Sequence, residues 1–214
     1  MNQAQIAQQL RDVSDEIEAS QARSLVAIRA ICGYIEAMSC DAGVTSFSQR
    51  DERWAKYRIG TALTIGQAGC LVTAAASVLC DAGFSTDPAR LCAWLENHAG
   101  FAPGALFVWA AIDALGVVRF AGLVDCPNPA DTPIGRMRET LGRGGFCIAK
   151  VDFCPGGGVD QHWVRVLSVD KNNALIMDPW PLPGNGNTTL MCPWYGATPD
   201  YAIWKVGFYE RVVA

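Results

Sequence analysis

Between residues 3 and 39 apolar side chains recur in steps of three and four: Ile6, Leu10, Val13 and Ile17, then Ile28, Ile31, Ile35 and Met38. Gln9, Arg11, Asp15 and Glu18 fill the other face, so the pattern predicts one long amphipathic helix whose stripe thins at Ser20, Ala22 and Ser24. The stripe is narrow, nearer a coiled-coil seam than the core-facing side of a globular helix, and something outside the helix must cover it. Folding back on its own domain is one solution. Self-association or docking into a larger assembly is the other, and it is favoured because the segment precedes what reads as a complete domain. Residues 1–43 are therefore expected to form an assembly helix ending at Ser39-Cys40-Asp41-Ala42-Gly43, with a homo-oligomer or larger assembly made through residues 3–39, and residues 44–214 a separate domain.

From Thr45 the texture changes. A polar, aromatic-bearing loop (Phe47–Trp54, Tyr57–Gly60) leads into a small-residue apolar helix over Cys70–Ala82, ended by Gly83. Asp87-Pro88 opens a second helix through Leu91, Trp94 and Leu95; residues 104–115 predict a third and Thr132–Leu141 a fourth. After Gly144-Gly145 the period shortens to that of strands: Phe146–Val151, His162–Val169, Ala174–Met177 and Ala202–Tyr209, with Asp170-Lys171-Asn172-Asn173 as a hairpin turn. Helices followed by an antiparallel sheet make an α+β arrangement.

Composition narrows the function classes. Half of the 214 residues are hydrophobic, and mean hydropathy is +0.15, as expected of a globular body. The net charge of −4 comes without a run of Lys or Arg, which argues against nucleic acid as a partner. No apolar window has the roughly 18–20 uncharged residues of a membrane span, and Met1-Asn2-Gln3-Ala4-Gln5 lacks the regions of a signal peptide. Synthesis in the cytoplasm is the expectation, with incorporation into a virion or export without a signal peptide as later fates. Nine cysteines without a C-x-x-C pair, beside only His98 and His162, predict reduced thiols and neither a disulfide framework nor a zinc site; no cofactor is implied.

One of those thiols stands apart. Gly69-Cys70 puts a cysteine at the first turn of a helix, where unpaired N–H groups and the positive end of the dipole favour thiolate. A buried core cysteine is the competing account. A thiolate nucleophile needs a base, and the base a third group to orient it. His98, before Ala99-Gly100, suits a helix C-terminus better than catalysis. His162 opens a strand after Gly156-Gly157-Gly158, and across the Asn172-Asn173 turn the next strand ends at Met177-Asp178-Pro179-Trp180, returning Asp178 beside His162. Asp178 as a turn-former before proline, and His162 as a half-exposed strand residue, are the structural alternatives.

Gln49–Trp54, Thr64-Ile65-Gly66, Gly69–Ala74, Gly144–Ala149, His162–Leu167 and Ile176–Trp180 together resemble the bacteriocin-processing type of papain-like cysteine peptidase and its broader bacterial and phage relatives. The resemblance covers about residues 45–210 and implies a papain-like fold, helices packed on an antiparallel sheet, behind the long N-terminal helix. It also implies roles: Cys70 as nucleophile, His162 as general base, Asp178 as orienting residue, and Gln49, with the backbone N–H of Cys70, as oxyanion hole. Gln49 lies 21 positions before Cys70, farther than in the bacteriocin-processing members, so Gln67 is a rival for that role; Leu71-Val72 is bulkier than the usual run after the cysteine.

The expected activity is a thiol hydrolase cleaving an amide bond in a protein or in the peptide of peptidoglycan, the latter suiting a phage particle or tail. The alternative is a catalytically silent structural or interaction protein of an oligomeric assembly that keeps the fold. A transferase passing the acyl group to an amine uses the same intermediate. Trp54, Trp163, Trp180, Trp194, Tyr195 and Trp204 are candidate groove residues, or simply core.

Overall fold

The computed structural model describes residues 43–60, 63–153, 161–180 and 187–213, and the helix expected over 3–39 lies outside them. Its centre is a six-stranded antiparallel sheet in the order β5-β10-β6-β7-β8-β9, built from β5 (Val118–Asp125), β6 (Phe146–Asp152), β7 (Gln161–Val169), β8 (Ala174–Met177), β9 (Thr188–Leu190) and β10 (Ile203–Arg211). Alternate side chains of the central strands bury on opposite faces. Ile148 and Trp163 pack with Val72, Ala75 and Leu79, whereas Ala149, Val164 and Val166 pack with Met137. A strand covered on both sides reads as an apolar run, which is what Phe146–Val151 shows. The molecule is thus α+β with an antiparallel sheet.

Among the described residues five α-helices and two small hairpins complete it. Leading into the site are β1 (Arg58–Ile59) and β2 (Leu63–Thr64), paired with each other, then α1 (Ile65–Ala68) and α2 (Cys70–Asp81). Ala74, Ala75, Ala76 and Val78 of α2 have no solvent exposure, so small side chains let the helix lie close to the sheet. Gly83, at φ 105°, ends that helix as its spacing suggested. In α3 (Pro88–Asn97) the Asp87 carboxylate accepts from the Arg90 N–H at 2.8 Å and Pro88 occupies the first turn. α4 (Ile134–Gly142) covers the other face; it starts two residues later than expected, after Pro133.

Residues 104–115 do not form the expected helix. Phe101–Ala102 (β3) and Leu106–Phe107 (β4) pair as a hairpin, and only Trp109–Leu115 coils, as a 3-10 segment. Gly104 (φ 83°) and Ala105 (φ 59°) both adopt left-handed backbone, which a helix cannot accommodate. β5 and β9, and the short α5 (Pro199–Ala202) ahead of β10, were not evident from the pattern. β5 is an edge strand, interrupted where Gly122 (φ 119°) sits at a bulge opposite Phe208 and Tyr209, so it lacks the clean alternation of a half-buried strand. No helix of the described residues is long and apolar enough to cross a membrane.

Candidate active site

The start of α2 and the start of β7 meet at one cleft. Gly69 makes the approach possible: a Cβ there would fall 2.5 Å from the Ile65 carbonyl oxygen and 2.6 Å from the Ile65 Cγ2, so only glycine lets α1 run so tightly into α2. Cys70 is consequently the first residue of a 12-residue helix, in the turn whose N–H groups have no partner within the helix. It is 8% exposed and lines the cleft.

Helix and strand are registered by a buried polar clamp. Arg165 of β7 donates through Nη1 to the Ser77 carbonyl (3.1 Å), the Ser77 Oγ (2.7 Å) and the Asp81 Oδ2 (2.7 Å), all on α2. Ser77 is seven residues beyond Cys70, ~10 Å along a helix, and Arg165 three beyond His162, ~10 Å along a strand. Equal spacing brings His162 alongside Cys70 when the clamp is closed. His162 is 3% exposed, and it lines the same cleft as Cys70, near enough for the thiol to act on the ring's protonation. Its Nε2–H donates to Asp178 Oδ1 at 2.7 Å, which leaves Nδ1 for the sulfur.

Asp178 follows directly on β8, whose Met177 pairs with Arg165, so the hairpin turn does return it to the start of β7. Fully buried, it accepts three donors: His162 Nε2, the Trp180 N–H on Oδ1 at 2.8 Å, and the Tyr195 hydroxyl on Oδ2 at 2.6 Å. Tyr195 was legible only as one aromatic among several; 17 residues from Asp178, it carries no motif that predicts the bond. Burial, reinforced by the charge of Asp178, pushes its phenol far up, so it is a donor at any ordinary pH. Burial alone depresses the His162 imidazole, but the hydrogen bond to Asp178, the charge of that carboxylate and the interaction with Cys70 outweigh it, raising the ring to about 9. Elsewhere in the fold burial pushes Cys92 up to about 11 and Cys147 and Cys192 to about 12, and Cys80 and Cys126 are raised as well.

Gln49 is brought to the cleft by a loop tied to the Asp178 turn. Its N–H donates to the Pro179 carbonyl at 2.8 Å, while Asn187 Nδ2 donates to both the Phe47 and the Asp178 carbonyls at 3.0 and 3.1 Å. The Gln49 side chain is 2% exposed; Nε2 reaches the Ile65 and Gly66 carbonyls at 3.4 and 3.3 Å, and Oε1 is buried with no hydrogen-bond partner. Gln67 also lines the cleft; its Oε1 accepts from the Thr64 N–H at 3.1 Å and the Thr64 hydroxyl at 3.2 Å, boxing the start of α1. His98 caps α3, with Nδ1 2.8 Å from the Trp94 carbonyl oxygen and its ring stacked on Trp94.

The cleft has a volume of about 550 Å³. Of the candidate groove aromatics, Trp163 and Trp180 line it, Trp54 is core, and Trp194 and Trp204 are exposed away from it. Phe153 bridges His162 and Trp180 with ring centroids 5.2 and 5.5 Å away, and the Arg50 guanidinium lies 4.6 Å over Trp180. Among the described residues no group of three or more His, Cys, Asp or Glu is placed to hold a metal ion.

Chemically, the site is a thiol beside a buried imidazole that is oriented by a carboxylate. No family model matches the chain, and no curated protein matches it. Among solved structures it is similar to a protein from Bacillus anthracis provisionally assigned as a C39-like peptidase, at 14% identity over 68% of this chain and 90% of that one, with a TM-score of 0.42.

Proposed function

We propose that the chain is a thiol hydrolase of papain-like type that cleaves an amide bond with Cys70 as nucleophile, His162 as general base and acid, and Asp178 as the residue that orients His162. The observation that carries this reading is the buried imidazole that shares the cleft with Cys70 and is held by a fully buried carboxylate at 2.7 Å. His162 takes the thiol proton; the sulfur attacks the carbonyl carbon, forming the C–S bond as the carbonyl pair moves to oxygen. The Cys70 N–H and the Gln49 side-chain amide, once it turns from the Ile65 and Gly66 carbonyls, are the donors proposed for that oxyanion. Collapse breaks the C–N bond, and the imidazolium gives its proton to the leaving amine. Water, deprotonated by His162, then attacks the thioester, releasing the acid and restoring the thiol.

Asp178, acceptor-only when ionised, fixes the ring with Nε2–H toward itself, so that Nδ1 serves the sulfur. Incubation of the intact chain with a proteome-derived peptide library and with solubilised wall fragments, read by mass spectrometry, tests the reading. Wild type is expected to generate new termini in one of the two substrates and Cys70→Ser none. Equal cleavage by Cys70→Ser would remove Cys70 from the mechanism.

A further inference from the structure

The walls of the cleft carry information about what it holds. Among the described residues that line it there is no Asp, Glu, Lys or Arg; apart from three glutamines, Cys70 and His162, the lining is apolar or aromatic. His162 and Trp163, adjacent on β7, point to opposite faces of the sheet. From His162, ring contacts run to Phe153 and Trp180. From Trp163 they run the other way, to Trp109 at 5.1 Å, on to Phe107 at 5.8 Å and then Phe101 at 6.5 Å. This second wall is fixed before any ligand arrives. The Trp109 indole packs against Gly207, where a Cβ would come within 2.0 Å of the ring, and the Trp109 carbonyl accepts from the Tyr209 hydroxyl at 2.8 Å. Beside it Leu106, at the β3–β4 turn, is 66% exposed and Leu63 46% exposed, apolar surface facing the cleft.

Building on the thiol-hydrolase reading, we infer that the cleft takes a peptide by a bulky, uncharged apolar side chain on the acyl side of the scissile bond, seated on Phe101, Leu106, Phe107 and Trp109, in preference to the charge-bearing peptides of a cell wall. The side follows from the chemistry: His162 must reach the leaving amine, so the amine half of the substrate lies toward Phe153 and Trp180 and the acyl half toward the opposite wall. The sign of the preference follows from desolvation. A carboxylate or ammonium pressed onto this wall loses water and meets no described counter-charge, whereas an apolar side chain gains by leaving water.

Two sets of peptidyl acyloxymethyl ketones, identical except for Phe or Glu at the first or second acyl-side residue, test this on the intact chain. In each the sulfur displaces the carboxylate leaving group and forms a C–S bond, so the rate of Cys70 adduct formation by mass spectrometry reads recognition. The Phe probe is expected to react at least about tenfold faster than its Glu counterpart at one or both positions, and Leu106→Asp to shrink that ratio several-fold. Equal rates, or faster reaction of the Glu probes, with Cys70 still the modified residue, would overturn the apolar subsite and leave the nucleophile standing. Failure of both probes to modify Cys70 would overturn the two together.

Discussion

A carboxylate without solvent exposure keeps its charge only if donors saturate its oxygens, and Asp178 holds three: an imidazole N–H, a backbone N–H and a phenol. The phenol acts on the reacting ring through Asp178. By sharing the negative charge on Oδ2, Tyr195 moderates how strongly Asp178 holds the His162 proton. Two variants separate these effects. With Asp178→Asn the negative charge is gone, the His162 pKa falls from about 9, and the alkaline limb of the pH–rate profile is expected to move to lower pH with a loss of roughly 10–100-fold in rate. With Tyr195→Phe the carboxylate bears more strongly on His162, the limb moves up, and stability drops by ~1–3 kcal/mol because a buried acceptor loses one partner. A pH–rate profile unmoved in both variants would mean that Asp178 and Tyr195 serve packing only. The same raised pKa makes stability pH-dependent: the contribution of the His162 charge is fully present below about 6.5, the ordinary value, and is lost as pH rises through about 9.

At the scale of elements, what matters is how α2 is held against β7. The Arg165–Ser77–Asp81 clamp joins groups that are 7% exposed on Arg165 and 12% on Asp81, and the Thr45 N–H adds a further donor to Asp81 Oδ1 at 2.9 Å. Removing the cation strands a mostly buried carboxylate. Arg165→Met is therefore expected to cost ~3–5 kcal/mol in denaturant unfolding, and any folded fraction should alkylate Cys70 more slowly because the ~10 Å registration between clamp and site is lost. A loss below 1 kcal/mol would show that small-residue packing of α2 suffices alone.

The hairpin that returns Asp178 was legible because Asp170, whose Oδ1 accepts from the Asn172 and Asn173 N–H groups at 2.7 and 2.9 Å, is turn chemistry that sequence displays. The clamp was not, since a lone Arg in an apolar strand gives no sign of the helix it will meet 88 residues away. The β3–β4 hairpin was hidden for a related reason. Val108, Ala111, Ile112 and Leu115 have helical spacing, but the turn depends on two left-handed residues, one of them an alanine.

For the whole molecule, described residues from 43 onward contain the sheet, both of its covered faces and the candidate site. The proposal that residues 3–39 mediate assembly makes a separate prediction: a chain lacking residues 1–42 stays folded by circular dichroism but shows a lower assembled mass by light scattering. Unchanged mass would assign assembly to the remaining surface.

The central claim is that His162 makes Cys70 a nucleophile. Its most direct measurement is the alkylation rate of each of the nine cysteines by iodoacetamide at pH 6.5, resolved by peptide mapping, in wild type and His162→Ala. Ordinary thiols are about 99% protonated there. Cys70 is expected to react at least about tenfold faster than any other cysteine in wild type and to lose that advantage in His162→Ala. Uniform slow labelling, or a Cys70 rate untouched by the loss of His162, would contradict the account.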